Sequence, residues 1–173
     1  QSRKVHDMFA SIANRYDITN TVLSGGIHHI WKKKFINMLP QGGSVLDLCT
    51  GTGDLLPLLA KQHDRVVGGD FCEPMLKVAE NRGFGKFTEL VVADAMNLQF
   101  HDNSFDVVTV AFGVRNFENL QRGLSEIFRI LKPKGTIAIL EFGQPKIPVW
   151  GATYSLYSKY FMPLIGGVLT GNK

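Results

Sequence analysis

The chain has 173 residues, 45% hydrophobic and 20% charged, and its 19 Lys and Arg outweigh 15 Asp and Glu to give a net charge of +4. That excludes a disordered chain, a collagen-like repeat and a multi-domain assembly, and one domain of this size folds without disulfide or metal staples. Cys49 and Cys72 make neither a disulfide framework nor a CxxC metal spacing, so a reduced, cytoplasmic protein without a metal is expected. The densest basic cluster, Lys32 to Lys34, reads as a solvated helix face, and no nucleic-acid partner is expected. No signal peptide and no run of 18 apolar residues is visible.

In chain order, Val5, Phe9, Ile12, Ala13 and Tyr16 share one helix face, broken at Ser24-Gly25-Gly26. A second amphipathic stretch points Ile27, Ile30, Trp31, Phe35, Met38 and Leu39 one way and ends at Pro40. Residues 1–40 are thus expected to form a helical lid. Residues 44–49, 65–70, 87–93, 104–112 and 135–142 read as short buried strands. Helices are expected over 54–62, from Pro74 to about Arg82, and along Leu120, Leu124, Ile127, Phe128 and Leu131. Apolar strands alternating with helices imply an α/β three-layer sandwich with a mostly parallel sheet, and residues 44–142 as its ligand-binding core. Residues 147–171 follow as an apolar helical segment with one charge, Lys159.

Ligands of such sheets sit beyond the carboxyl ends of the strands. The first strand runs into Asp47-Leu48-Cys49-Thr50-Gly51-Thr52-Gly53-Asp54, where Gly51 and Gly53 let backbone approach a ligand closely. A dinucleotide turn would carry a third small residue, but Leu56 stands there. Asp47 and Asp54 would repel a pyrophosphate and suit a cationic ligand such as S-adenosylmethionine. Asp70 ends the second strand, where it can accept hydrogen bonds from ribose hydroxyls or cap the next helix. Asp94 and Ala95 end the third and can read an adenine edge, with Met75 and Met96 as flanks or core filler. Ala111, Gly113, Arg115 and Asn116 follow the fourth strand, and the (D/N)PP(Y/F) loop of nitrogen methyltransferases is missing.

The glycine turn, the acidic end of the second strand, the Asp94-Ala95 pair and Leu131-Lys132-Pro133-Lys134-Gly135 together resemble class I S-adenosylmethionine methyltransferases. Residues 9–33 resemble the amino-terminal signature of the ubiquinone/menaquinone biosynthesis C-methyltransferases. Residues 104–117 resemble their second signature, built on FGxRN. The resemblance implies methyl transfer to a ring carbon of a polyprenylated benzoquinol or naphthoquinol. It maps Thr52, Asp70 and Asp94-Ala95 onto cofactor contacts, and puts Ala111 where a serine is common. The expected cofactor site is therefore Asp47, Gly51, Thr52, Gly53, Asp70, Asp94, Ala95 and Ala111.

For the chemistry, Arg115 is expected to stabilise a phenolate while Asn116 orients the hydroxyl or a water. His28 and His29 are candidate general bases under a lid, or simply a surface pair. Tyr16 and Asp17 are candidates to shape that lid or reach the cofactor's carboxylate. Trp150, Tyr154, Tyr157, Tyr160 and Phe161 fit an interfacial helix at a membrane as well as packing against absent protein. A homodimer is a further expectation. Rival readings are a methyltransferase acting on another lipid or phenol, an NAD-dependent oxidoreductase and a non-catalytic cofactor-binding scaffold. The class has a seven-stranded sheet, so five strand signals imply a chain cut short of its last two strands.

Overall fold

The computed structural model describes residues 21, 24, 26–84, 88–141 and 143. The helix expected over residues 5–16, Tyr16, Asp17, the apolar segment 147–171 and any later strand lie outside them.

The described chain runs α1 (Ile27–Asn37), β1 (Ser44–Leu48), α2 (Leu56–Leu59), β2 (Arg65–Asp70), α3 (Glu73–Asn81), β3 (Thr88–Val92), β4 (Phe105–Ala111), a 3-10 turn (Val114–Asn116), α4 (Leu120–Ile130) and β5 (Leu131–Leu140). The strands form one parallel sheet in the order β3-β2-β1-β4-β5. The order reverses between β1 and β4, so their carboxyl ends flank the crevice where such sheets take ligands.

Alternate side chains supply the two faces of the sheet. Leu46, Leu48, Val108 and Val110 pack with Ile127 and Ile130 of α4 on one face. Val45, Val66 and Val107 pack with Leu56 and Leu59 of α2 and Ile36 of α1 on the other. The result is a three-layer α/β sandwich of the kind expected from the sequence. Pro57 and Pro74 sit in the first turns of α2 and α3, where a missing N–H costs nothing.

Three local expectations change. Helix α2 is a single turn rather than residues 54–62, because 51–55 stay in the glycine turn. Strand β5 starts at Leu131: Leu131 pairs with Phe105, the chain bulges through Lys134 at φ 68°, and pairing resumes between Thr136 and Val107. The third change concerns helix faces. Ile27, Ile30, Trp31 and Met38 are exposed on α1, as is Phe128 on α4. Phe35 and Leu39 pack into the core as expected, and the buried residues of α1 itself are His28, Lys32 and Ile36. Lys32 is buried because Asp54 neutralises it, at 2.8 Å. Only Lys33 and Lys34 of the basic cluster are solvated.

Candidate active site

Strand β1 delivers Asp47 between Gly68 of β2 and Thr109 of β4. Asp47 is buried, and its two oxygens accept hydrogen bonds from Thr50 Oγ1 and Thr109 Oγ1, each at 2.7 Å. Burial pushes its pKa up to about 6, against the opposing pull of Thr109, Thr50 and Lys32. Asp47 therefore braces the turn through Thr50.

The turn needs its glycines. Gly51 and Gly53 have φ of 58° and 83°, values an L side chain rarely takes. Cys49 holds φ 61° without being glycine, and Phe112 after β4 holds 58°. These two residues face the crevice from the ends of the two central strands, and such backbone costs about 1–3 kcal/mol per residue. Gly113 makes the arrangement fit: a Cβ there would lie 2.5 Å from Cys49 Cβ and 2.7 Å from Sγ.

A cleft opens at this point. It is lined by Cys49, Gly51, Asp70, Phe71 and Met75 on one side and by Ala111, Phe112, Gly113 and Asn116 on the other. Asp70 Oδ2 accepts from the Gly51 amide and Oδ1 from the Cys72 amide, both at 2.8 Å. A carboxylate presents two acceptor oxygens, the pattern that matches a pair of vicinal hydroxyls. Thr52 is buried inside the turn. Ala95 is buried at the end of β3, and exposed Asp94 takes the Met96 amide at 2.8 Å. Met75 reaches the cleft, with Cε 3.6 Å from where a Gly51 Cβ would stand, whereas Met96 packs beside Gly123 of α4.

Several charged groups sit differently from the sequence reading. Asp54 does not present a free carboxylate to a cationic ligand. Lys32 Nζ holds Oδ2 at 2.8 Å and an Arg82 guanidinium nitrogen holds Oδ1 at 2.7 Å. His28 is buried, bonded through Nδ1 to Ser24 Oγ at 2.6 Å, and burial lowers its pKa first, followed by Lys32. Neither it nor exposed His29 lines the cleft. Arg115 is half exposed on the 3-10 turn, and its guanidinium meets Glu141 Oε2 at 3.3 Å. Glu141 and Phe112 escaped the sequence reading. The only signal for either was a position just beyond a strand's carboxyl end.

Among the described residues no group of three or more His, Cys, Asp or Glu could hold a metal, and both cysteines are free thiols. No helix of the described residues is long and apolar enough to cross a membrane.

A parallel sheet with this crevice, a glycine turn after β1 and an aspartate ending β2 is shared by nucleotide-binding α/β folds, and among them solved class I S-adenosylmethionine-dependent methyltransferases match this chain's fold. The chain resembles a solved methyltransferase of this kind from Aquifex aeolicus, at 26% identity and TM-score 0.59 over 79% of this chain and 75% of that one. Within the class, the chain belongs to the ubiE/COQ5 methyltransferase family, whose sequence profile matches residues 1–173. It is 42% identical to the ubiquinone/menaquinone biosynthesis C-methyltransferase of Bdellovibrio bacteriovorus, over 98% of this chain and 74% of that protein. It is 39% identical to the demethylmenaquinone methyltransferase of Thermus thermophilus, over 95% of this chain and 78% of that protein. Across eight solved chains of the fold it spans 50% to 75% of their lengths. The chain is an S-adenosylmethionine-dependent C-methyltransferase.

Of the expected cofactor residues, Gly51, Asp70 and Ala111 line this cleft, with Phe71, Met75 and Phe112 as apolar walls, whereas Asp47, Thr52, Gly53, Asp94 and Ala95 are not in its lining. A carboxylate and an open glycine backbone beside apolar walls are chemically compatible with that cofactor.

Proposed function

We propose that this chain transfers the methyl group of S-adenosylmethionine to a ring carbon of a polyprenylated quinol. The acceptor is demethylmenaquinol, 2-polyprenyl-6-methoxybenzoquinol or both. The observation that supports this reading is the short turn Val114–Asn116 after β4, which brings Asn116 into the lining of the cleft with Arg115 next to it in the chain. The names of the two relatives point to the same chemistry.

When bound, S-adenosylmethionine supplies a methyl group already activated by its sulfonium. The protein then needs to align a carbon nucleophile and keep water out. Asp70 would hold the ribose hydroxyls, the turn from Gly51 to Gly53 would lie along the methionyl part, and Asp94 and Ala95 would meet the adenine. Asn116 lines the cleft and orients the quinol hydroxyl. Arg115 is a guanidinium, a donor without an acceptor, so it favours the phenolate without taking its proton. A phenol of pKa near 10 gains most from such a fixed cation. The apolar exposed edge of α1, with Ile27, Ile30 and Met38 beside Lys33 and Lys34, supports peripheral contact with the membrane that holds such quinols.

The test is turnover of a short-chain demethylmenaquinol with methyl-labelled S-adenosylmethionine. Arg115→Ala is expected to lose turnover while S-adenosylhomocysteine binding survives. Equal loss of both, or no transfer to any quinol by the unaltered chain, overturns the reading.

A further inference from the structure

Beside the cleft, against the turn that carries Asn116, stands a carboxylate that the reading above does not use. Glu141 directly follows β5, and Phe112 N–H donates to Leu140 O at 2.7 Å, so the ends of β4 and β5 lie side by side. From there the Glu141 carboxylate grips the 3-10 turn at two points. Oε1 accepts from the Arg115 backbone amide at 3.4 Å, and Oε2 accepts from the Arg115 guanidinium at 3.3 Å. Its side chain is 23% exposed against 50% for Arg115, so the carboxylate is the more fixed partner. Its charge also reaches the cleft: burial pushes the Cys49 thiol up, and Asp70, Asp47 and Glu141 add to that rise.

An arginine half in solvent has several rotamers, and only some can face an acceptor in the cleft. A carboxylate that binds both the main chain and the side chain of the same arginine selects among them. The same hold fixes Asn116, the next residue, whose amide donates to Gly113 O at 2.9 Å. Other acidic groups at the strand ends are otherwise engaged. Asp47 is bonded to two threonines and Asp70 to two amides. We propose that Glu141 is a positioning residue for methyl transfer, holding Arg115 and the turn that carries Asn116 against the cofactor cleft.

The proposal rests on the quinol reading for its kinetic consequence, so one arm of its test needs no quinol. Amide hydrogen exchange at Arg115 is expected to quicken about tenfold in Glu141→Gln, because Gln is a weaker acceptor for that N–H. In turnover, Glu141→Gln is expected to lower kcat about 10- to 100-fold, the scale of a displaced catalytic group. Binding of S-adenosylhomocysteine should stay within about twofold, and Glu141→Asp should recover part of the loss. In an Arg115→Lys background, Glu141→Gln should cost far less than in the unaltered chain, since the fork it holds is gone. Unchanged exchange at Arg115, full multiplication of the two losses, or cofactor affinity falling as much as kcat each overturns the proposal. Failure of the unaltered chain to methylate a quinol would instead strike the substrate reading, and the exchange arm would still decide the role of Glu141.

Discussion

Replacing Asp47 by Asn keeps the shape of a buried side chain and removes its titration. Burial holds this carboxyl at about 6, above its ordinary 3.8. Between those values the native state keeps a proton that the unfolded chain has released. The contribution to stability is therefore complete below about pH 3.8 and is lost as pH rises through about 6. With about 1.4 kcal/mol for each pKa step, the interval amounts to roughly 3 kcal/mol. His28 works in the opposite sense, because its lowered pKa makes stability fall with falling pH in the same region. That term is common to both proteins and cancels in their difference. Urea unfolding of the parent and of Asp47→Asn, from about pH 3 to about pH 7, isolates the Asp47 part. The variant should gain roughly 3 kcal/mol on the parent across that range. The Asn amide and the Thr50 and Thr109 hydroxyls can still pair, so the turn should survive. A stability difference that stays flat with pH would refute the argument, for it would mean that Asp47 titrates normally.

Gly113→Ala places a Cβ 2.5 Å from Cys49 Cβ, which sits on a constrained backbone and cannot swing away. We expect a loss of about 1–3 kcal/mol by thermal unfolding together with weaker S-adenosylhomocysteine binding by calorimetry; unchanged affinity would show that the cleft tolerates the shift. Asp54→Ala strips the partner from Lys32, whose side chain is 11% exposed, and from Arg82. Leaving a cation so deeply buried should cost about 3 kcal/mol, and hydrogen exchange should quicken along α1 before it does in β1. Asp70→Asn keeps one oxygen but points an NH2 group at a backbone amide. Cofactor affinity should drop about tenfold or more while the fold persists, which a binding isotherm checks.

The central strands were legible because burial on both sides leaves β1, β2 and β4 mostly apolar, with two polar residues in each. Gly51 and Gly53 were legible because few other residues take a positive φ. Arg115 and Asn116 are singled out by the rule that chemistry gathers at strand ends, and of the two Asn116 lines the cleft. The inward face of α1 was not legible. Apolar spacing pointed to Ile27, Ile30 and Met38, but what decides the face is Asp54, 22 residues beyond Lys32. The backbone of Cys49 and Phe112 was equally hidden, since neither residue type favours that conformation. The hold of Glu141 on Arg115 spans 26 residues, beyond any local pattern.

The two ion-pair systems at this site differ in their contact with solvent. Lys32 and Asp54 are 11% and 21% exposed, whereas Arg115 and Glu141 are 50% and 23% exposed. Dissolved salt screens the second far more than the first. Ionic strength thus separates architecture from chemistry in this enzyme. Salt is expected to loosen Arg115 from Glu141 while α1 stays fastened to the turn, so on the proposed role of Arg115 activity should decline with salt before the protein begins to melt.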